Sequence, residues 1–537
     1  MSNDQPGWGP SHQTGRKTPW WTLVAFVALI SIPFRDTVVI LIAAFVLKLL
    51  WYAVRARRNR RAAGVRLGDV GDPLPAVLAE HARHGGGVYL GVDPKGGWVA
   101  GRPERATLIL GPPRSGKSSS VIFPAVLAHA GPVVSTSTKP DVLAATGASR
   151  SRLGNVWQFD PTGSGRTNAV ATLRWSPVTA ARTWDGALLI ARAMVTGARV
   201  GAGTTAESHW SKRAAALLAP LLHAAAVGGQ GIDAVVSWVS RHELNEPGVL
   251  LTDADAELAC GLLVGLQNTE ARERSSIFSA AADALDAYTS QAALSAAREP
   301  NFDAEQFVRS RDTIYIHAPA ENQALAAPLV CGLLSEIRAA TYRAHHVEAL
   351  QGRVLFALDE VANIAPLAEL PAIASEGGGQ GLCLLAALQD LSQARVRWGD
   401  AAEGFLTLFG SKLILPGVAD PKTLEAVSLA LGEYDRQVIS TSRGRAGGQS
   451  PHATSSRTYS TQRQRVLPPG DVANIPHGQA LYLDGLAWQL LSLTPAHATE
   501  PWRTLTAGGR APAGNAGSAA VSGRRGPGVQ AGAGRGV

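Results

Sequence analysis

The chain has 537 residues and a mass of 56.0 kDa, several times the size of a common domain, so we expect more than one domain. Its 46% hydrophobic and 17% charged residues exclude a wholly disordered chain, and its three widely spaced cysteines argue against a disulfide framework or a cysteine zinc site. Residues 1–61 hold nine Lys or Arg and two acids, and residues 501–537 hold five Arg and no acid. The total net charge is +8, so the body between these two ends has a net charge of −4. The basic pI therefore does not indicate a nucleic-acid-binding body.

Two apolar runs near the amino end predict a transmembrane hairpin over residues 20–54. Residues 20–34 are uncharged, and residues 37–54 contain the single charge of Lys48. A spanning helix needs about 20 apolar residues, so both runs are at or below this length. Basic residues flank the pair on both outer sides, which favours a cytoplasmic location for both ends and for the body. One alternative is a buried core hairpin. The other is a signal peptide, but the apolar stretch is too long for one and no cleavage site follows it.

A β-hairpin and a phosphate-binding loop are predicted at the start of the body. Residues 88–99 alternate around Gly and Pro as a β-hairpin does. The apolar run 106–110 is followed by Gly111–Ser118, with the sequence GPPRSGKS, and then by a helical run. This sequence matches GxxxxGK[ST] between a strand and a helix, which is the context that a P-loop requires.

The P-loop predicts ATP and Mg²⁺ as ligands. Backbone N–H groups of such a loop, together with the N-terminus of the following helix, surround the phosphates. Lys117 is expected to reach the outer phosphates as a catalytic residue, and the Ser118 hydroxyl is expected to ligate Mg²⁺. The predicted nucleotide-binding residues are Gly111, Pro112, Pro113, Arg114, Ser115, Gly116, Lys117, Ser118 and Ser119.

The rest of the body predicts an α/β fold with a helical insertion. Residues 205–305 are rich in Ala and Leu at helical spacing and contain no convincing strand. Strand-like runs then return and alternate with helical segments, which is typical of a parallel sheet with crossover helices. They cover residues 313–317, 354–358, 382–388 and 412–415.

Two acids and an amide follow these runs at positions where catalytic groups are expected. Asp359 and Glu360 follow an apolar run, so we expect a buried strand beside the strand of the P-loop, with both acids at its carboxyl end. Asp359 is predicted to hold Mg²⁺ through water, and Glu360 to act as the general base that polarises the attacking water. Gln389 follows the next run and is predicted to sense the γ-phosphate, with a capping role as the alternative.

No other chemistry competes with this site, because the 13 histidines form no HExxH pattern and no GxSxG motif is present.

Residues 440–465 predict a long loop or a mobile hairpin that could line a pore. The predicted organisation is a cytoplasmic amino-terminal segment (1–19), the transmembrane hairpin (20–54), a basic juxtamembrane linker (55–87), an amino-terminal half of the nucleotide-binding domain with the P-loop (88–204), the all-α insertion (205–305), a carboxyl-terminal half of the nucleotide-binding domain with the acid pair and Gln389 (306–500), and a disordered Gly/Ala/Arg tail (501–537).

The order of these features resembles the type IV coupling proteins of the TraG/TraD type, the inner-membrane ATPases of conjugation and type IV secretion. The resemblance extends from about residue 20 to residue 495, and its specificity lies in the order of the fragments. Besides the P-loop, the matching fragments are Lys139 with Asp141, Phe159–Pro161, Trp175–Pro177, His209–Trp210, Leu358–Asn363, Leu388–Gln389 with Gln393, and Arg465–Asp471.

The resemblance implies a RecA-like P-loop motor that assembles as a hexamer below the bacterial inner membrane. It implies a multi-pass protein in contact with inner-membrane lipid, with its body in the cytoplasm. The all-α domain would recruit a relaxase bound to single-stranded DNA, and ATP hydrolysis would drive or gate passage of the substrate to the type IV secretion channel.

One position departs from the family pattern. Well-known members carry a Gly-Arg pair between the LDE strand and the Gln, and this arginine acts on a neighbouring subunit. Here Gly378 stands where the arginine would fall. Since such a residue can be worth orders of magnitude in rate, either Arg272, Arg274 or Arg114 serves instead, or turnover is slow.

Two rival functions remain open. An FtsK/SpoIIIE-like translocase of double-stranded DNA shares the membrane segment and the RecA-like core, but no long linker or winged-helix-like module is present. A membrane docking protein with a non-hydrolysing nucleotide site is consistent with Gly378 and is disfavoured by the intact P-loop and acid pair. The basic tail has two interpretations as well, a solubilising end or a contact with DNA or anionic lipid.

Overall fold

The computed structural model of the protein describes residues 72–163, 170–198, 205–444, 454–485 and 487–508. The predicted amino-terminal segment (1–19), the predicted transmembrane hairpin (20–54), residues 55–71 of the predicted linker and residues 509–537 of the predicted tail lie outside these residues. Among the described residues, the helix Ala320–His346 is long and apolar enough to cross a membrane. It is 72% buried inside the protein over its apolar window, as expected of a core helix.

Twelve strands form one mixed sheet in the order β2-β1-β14-β13-β10-β3-β9-β8-β4-β7-β5-β6. The strands of this sheet are β1 (Tyr89–Val92), β2 (Trp98–Ala100), β3 (Thr107–Leu110), β4 (Val133–Ser137), β5 (Val156–Phe159), β6 (Ala171–Thr172), β7 (Thr313–His317), β8 (Val354–Leu358), β9 (Leu382–Leu388), β10 (Ser411–Ile414), β13 (Gln479–Asp484) and β14 (Ala487–Ser492). The eight strands from β10 to β6 are parallel, and the other four pair antiparallel.

The parallel strands are apolar runs because both faces of the sheet are covered. Every residue of β3, β8 and β9 is buried. Alternate side chains of β8 point to opposite faces: Phe356 joins a core shared with the helical segment, and Leu355 joins a core shared with the P-loop helix. The first helices of the described residues are α1 (Leu74–Arg83), α2 (Phe123–Ala128), α3 (Asp141–Arg150), α4 (Pro177–Ala180) and α5 (Trp184–Gly197).

The prediction that β8 lies beside the P-loop strand is wrong. Strand β9 pairs with β3 on one side and with β8 on the other, so it separates them. The order of strands in a sheet depends on the crossover connections, which strand-like composition does not encode. The predicted β-hairpin at 88–99 is present as β1 and β2, which pair antiparallel.

The described residues 205–308 contain helices and no strand, as their spacing predicts. Helix α6 runs through this segment and buries Leu217, Leu218 and Leu221. The helices of the segment are α6 (Thr205–Val227), α7 (Ile232–Arg241), α8 (Asn245–Asp253), α9 (Glu257–Gln267), α10 (Ala271–Leu285), α11 (Gln291–Ala297) and α12 (Ala304–Val308). The remaining helices are α13 (Gln323–His346), α14 (Val361–Ile364), α15 (Leu370–Glu376), α16 (Leu391–Trp398), α17 (Phe405–Leu408), α18 (Pro421–Ala430), α19 (Pro469–Ala473) and α20 (Trp502–Thr506).

A separate two-stranded hairpin covers most of residues 440–465, for which the sequence predicted either a long loop or a mobile hairpin. Strands β11 (Glu433–Gly444) and β12 (Thr454–Arg465) pair antiparallel over their whole length. At the base of the hairpin, Arg465 pairs with Glu425 of α18 at 2.6 Å. We call this element the β11–β12 hairpin.

The first and last described segments meet around aromatic side chains. Trp502 of α20 stacks on Trp98 with ring centroids 5.2 Å apart and also contacts Tyr89. Leu74 of α1 and Leu127 of α2 belong to the same buried cluster. The end of the described chain therefore completes the core around its beginning.

Candidate nucleotide-binding site

The P-loop leaves β3 at the carboxyl edge of the sheet and leads directly into a helix. Lys117–Ile122 forms a π-helical turn that continues as α2. Such turns are rare and frequently lie at functional sites. The first N–H groups of a helix have no acceptor within it, so here they face the loop and are available to an anion.

Two glycines give this loop its shape. Gly116 has a φ of +93°, a left-handed conformation that side chains rarely adopt. A Cβ atom at Gly111 would lie 2.7 Å from Ser115 Oγ and 3.0 Å from Leu415 Cβ. The motif therefore has glycine at one position for backbone conformation and at the other for close packing.

The other predicted loop residues differ in what they offer a ligand. Pro112 and Pro113 have no N–H and shape the loop without donating from the backbone. Arg114 is exposed and adopts a φ of +64°. Ser115 Oγ is buried and has no hydrogen-bond partner among the described residues, so it is free to bind a ligand oxygen.

Lys117 folds back onto its own loop. Its Nζ donates to Gly111 O at 2.6 Å and to Pro112 O at 3.1 Å, and the residue is 7% exposed. An ammonium group has three donors, so a third remains for a ligand after these two hydrogen bonds.

Ser118 and Asp359 meet although β9 separates their strands. Ser118 Oγ donates to Asp359 Oδ2 at 2.7 Å. The backbone at Asp359 is fixed by Thr136 of β4, whose Oγ1 donates to Asp359 O at 2.8 Å. The predicted metal ligands thus lie side by side, and a neighbouring strand holds one of them in place.

Glu360 and Gln389 lie at the carboxyl ends of adjacent strands. Glu360 adopts a φ of +48°, a strained conformation of the kind that concentrates at functional sites. The Gln389 side chain lies close enough to Glu360 to lower the pKa of that acid, and Gln389 N donates to Gln393 Oε1 at 2.9 Å. The structure therefore brings together all five predicted residues at the carboxyl ends of β3, β8 and β9. They are Lys117, Ser118, Asp359, Glu360 and Gln389.

Burial disfavours the charged forms of both acids. It raises the pKa of Asp359, although hydrogen bonding from Ser118 and the charge of Lys117 act in the opposite direction. Burial, and then the charge of Asp359, raise the pKa of Glu360. A cation bound between the loop and the acids would favour the ionised carboxylates.

The donor set fits a magnesium ion that is shared with a phosphate ligand. Within the described residues, no group of three or more His, Cys, Asp or Glu side chains could hold a metal. Mg²⁺ is usually bound through one or two protein oxygens together with substrate phosphates and water. The Ser118 hydroxyl and the Asp359 carboxylate provide such a pair, and the free Ser115 Oγ lies in the same loop.

Two contacts of the site were not evident from the sequence. Asp141, at the start of α3, lies close enough to raise the pKa of Asp359 by charge repulsion, and it accepts a hydrogen bond from Ser137 Oγ at 3.1 Å. Ala496 N donates to Ser119 O at 2.8 Å, so the segment after β14 contacts the P-loop helix. Asp141 matches the family pattern together with Lys139, but its closeness to Asp359 depends on the fold, and the segment that contains Ala496 carries no sequence signal of its own.

Gly378 is buried at the opposite edge of the sheet, before β9. A Cβ atom there would lie 2.1 Å from Glu104 O and 2.4 Å from Glu104 C, and the Arg353 guanidinium donates to Gly378 O. Close packing therefore explains the glycine at this position, where the family pattern has an arginine.

The three alternative arginines lie in different surroundings. Arg114 is exposed on the P-loop, and Arg272 is exposed in the first turn of α10. Arg274 is half-buried, and its Nη1 donates to Gln267 O at 2.7 Å. Arg114 and Arg272 are thus the more accessible of the three.

Residues 79–487 match the family model described as Type IV secretory system Conjugative DNA transfer. The chain belongs to this family. It is therefore a type IV coupling protein, as the order of its motifs indicates. A comparison with curated proteins gives no match.

Solved structures of another conjugative coupling protein, TrwB, resemble this coupling protein in fold. The unbound form of TrwBdeltaN70 is 19% identical with a TM-score of 0.57, and the match covers 75% of this chain and 88% of that one. TrwB in complex with ADPNP has 19% identity, a TM-score of 0.55 and coverages of 73% and 86%. TrwB in complex with ADP and Mg²⁺ has 18% identity, a TM-score of 0.55 and coverages of 74% and 87%. The predicted RecA-like α/β fold is confirmed by this likeness.

Proposed function

We propose that this coupling protein is a membrane-anchored ATPase that delivers relaxase-bound single-stranded DNA, or a secreted protein, to a type IV secretion channel. The proposal includes a hexamer at the bacterial inner membrane, with the predicted hairpin (20–54) as a multi-pass anchor in lipid. Membership of the conjugative DNA transfer family supports the class of substrate. The nucleotide complexes of TrwB support ATP and Mg²⁺ as ligands.

One observation carries the ATPase assignment. The P-loop hydroxyl of Ser118 lies 2.7 Å from Asp359 Oδ2, and Glu360 follows Asp359 directly at the carboxyl edge of the sheet. A non-catalytic nucleotide site has no need for a second, half-buried acid in a strained backbone conformation beside the first. This arrangement favours hydrolysis over simple nucleotide binding.

The residues of the P-loop would bind and orient the phosphates. Ser115 Oγ and the first N–H groups of the helix provide neutral donors, and Lys117 provides the positive charge. The two loop carbonyls that Lys117 contacts hold its ammonium group in place before the ligand arrives. Positioning of this kind accounts for most of the catalysis in phosphoryl transfer.

The acids and the amide have separate roles. Glu360 would accept a proton from the attacking water, and Gln389, whose side chain lies beside Glu360, would orient that carboxylate toward the γ-phosphate. Ser118 and Asp359 would hold Mg²⁺, with Asp359 acting through water. When bound, the ion neutralises negative charge on the phosphates.

The test is ATP turnover by the full-length protein in detergent, measured as phosphate release without DNA, with single-stranded DNA and with duplex DNA. Stimulation by single strands, lost in Lys117→Ala and in Glu360→Gln, is the expected result. Stimulation by duplex alone would instead identify a double-stranded DNA translocase. Protein that binds ATP and assembles but does not hydrolyse ATP would overturn the ATPase assignment in favour of a docking role. The glycine at position 378, where the family has an arginine, is consistent with that role.

A further inference from the structure

The β11–β12 hairpin carries charge and aromatic surface that the nucleotide site does not use. From Arg436 to Arg465 the sequence has six arginines and no acidic residue, within a body whose net charge is negative. The side chains of Tyr459, Ile439 and Tyr434 are 67%, 57% and 47% exposed. Large apolar side chains with this exposure on a basic ribbon indicate a binding surface.

The antiparallel register sorts these side chains onto two faces. Ile439 pairs directly with Tyr459, and Thr441 pairs with Arg457, so Ile439, Tyr459 and Arg457 share one face. Tyr434 and Arg436 lie on the other face, opposite Gln464 and Gln462. We call the first of these the Tyr459 face and the second the Tyr434 face.

Ion pairs divide the arginines between the base of the hairpin and its outer section. Near the base, Arg463 lies 3.4 Å from Asp435, and Arg465 pairs with Glu425. Within the described residues, no carboxylate lies within 4.0 Å of Arg457 or Arg436. Arg457 in the outer section and Arg436 near the base therefore remain available to an anionic partner.

An exposed aromatic ring beside an unpaired arginine fits a single strand of nucleic acid. Bases that are not stacked in a duplex can stack on tyrosine, and arginine contacts the adjacent phosphate. Apart from Ile439, the rest of the Tyr459 face is polar or charged and offers little apolar area to a protein partner. It consists of Gln437, Thr441, Thr461, Ser455 and Arg443, with Glu433, Asp435, Arg463 and Arg465 near the base.

We propose that the Tyr459 face of the β11–β12 hairpin binds the transported single-stranded DNA, with Tyr459 stacking on a base and Arg457 contacting a phosphate. This inference rests on the proposed function, since it assigns the contact for its substrate. It adds a DNA site on an element remote in sequence from the P-loop, the acid pair and the helical segment.

The test compares the two faces with matched substitutions in the full-length protein. Binding of a fluorescent thymidine oligonucleotide is measured by anisotropy in the presence of a non-hydrolysable ATP analogue. Tyr459→Ala is expected to weaken binding about 5- to 100-fold, the effect of losing one stacked base. Arg457→Ala is expected to reduce the slope of log K against log salt by about 0.7, the effect of losing one phosphate contact.

Control variants separate the proposal from its alternatives. Tyr434→Ala and Arg436→Ala make the same changes on the Tyr434 face and are expected to leave affinity and salt slope unchanged, whereas Tyr459→Trp is expected to restore affinity. Equal losses from both faces, or wild-type affinity in Tyr459→Ala and Arg457→Ala, would overturn the hairpin proposal while leaving the ATPase intact. A change of oligomeric mass in Tyr459→Ala, measured by light scattering without DNA, would overturn it in favour of a subunit contact. Wild-type protein that binds no single-stranded DNA would overturn the proposed function together with this site.

Discussion

The carboxyl edge of the sheet and the β11–β12 hairpin are built on opposite principles. At the sheet edge, Lys117 and Asp359 are 7% and 6% exposed. Lys117 donates two hydrogen bonds to carbonyls of its own loop, and Asp359 accepts hydrogen bonds from Ser118 and from Thr136 of β4. On the hairpin, Tyr459 is 67% exposed, and the described contacts of Arg457 include no ion pair.

The difference matches the roles that we propose for the two regions, which are chemistry at the sheet edge and substrate contact on the hairpin. Phosphoryl transfer needs charged groups fixed in a water-poor site, where electrostatic interactions are strong. Contact with a moving strand needs a surface that binds many bases equally and releases them. Substitutions should therefore affect rate or folding in the first region and affinity alone in the second.

The largest effect is expected at the P-loop lysine. Lys117→Ala removes the only charged donor that the loop directs at the phosphates from a buried position, so ATP turnover should fall about 100- to 1000-fold. Steady-state phosphate release measures it. Lys422→Ala, at an exposed lysine of α18, is the matched control, and an equal loss there would show that the assay does not report on the site.

A second test separates hydrolysis from binding. Glu360→Gln should lower turnover about 100- to 10,000-fold while nucleotide binding is retained, because the amide cannot accept the proton. Glu348→Gln changes an exposed glutamate that also has a positive φ, and it should leave turnover unaltered.

Backbone packing gives a test at the other edge of the sheet. Gly378→Ala places a Cβ atom 2.1 Å from Glu104 O and should lower the free energy of unfolding by about 3 kcal/mol. Gly379→Ala is the matched control, since a Cβ atom there meets nothing within 4 Å. Thermal unfolding followed by circular dichroism compares the two. Equal melting temperatures would show that the position has room for a side chain.

A buried carboxyl makes stability depend on pH. Burial raises the pKa of Glu336 to about 7, and the Trp175 indole donates to its Oε2 at 2.6 Å. The folded protein holds this proton more tightly than the unfolded chain, so stability is fullest below about pH 4.5 and declines as pH rises to about 7. Glu336→Gln should therefore raise the free energy of unfolding by about 2 kcal/mol at pH 8 and change it little at pH 4. Glu321→Gln, at an exposed position, should show no such pH dependence.

The smallest effect on stability is expected on the hairpin. Replacing Tyr434 and Ile439 together by Ser should change the free energy of unfolding by no more than about 0.5 kcal/mol, because both side chains are already largely exposed to water. Thermal unfolding again measures it. A marked loss of stability would mean that the hairpin packs against another region of the protein, and the comparison with the sheet edge would fail.

The sequence was most informative where the chemistry is local. The P-loop was predictable because its glycines, lysine and serine are contiguous and stand between a strand and a helix. The acid pair at 359–360 and Gln389 were predictable because each follows a buried apolar run, and such runs end at the same edge of a parallel sheet. The helical segment was predictable from its spacing.

Contacts between distant segments were not predictable in this way. The position of β9 between β3 and β8 depends on crossovers, so the prediction that β8 lies directly beside β3 is wrong. The support of Asp359 by Thr136 and the packing of Gly378 on Glu104 arise only when separate strands meet. In residues 440–465, composition favoured exposure, but it did not distinguish a loop from a hairpin because exposed strands lack an apolar face.

The meeting of the first and last described segments has a consequence for how the chain matures. Tyr89 and Leu127 find their partner Trp502 only after almost the whole body has left the ribosome. Until then the apolar surface beside the P-loop helix stays open to water, and contacts of such long sequence separation form slowly. The nascent protein should therefore depend on chaperones up to its last helix, and its nucleotide site should become competent late in synthesis.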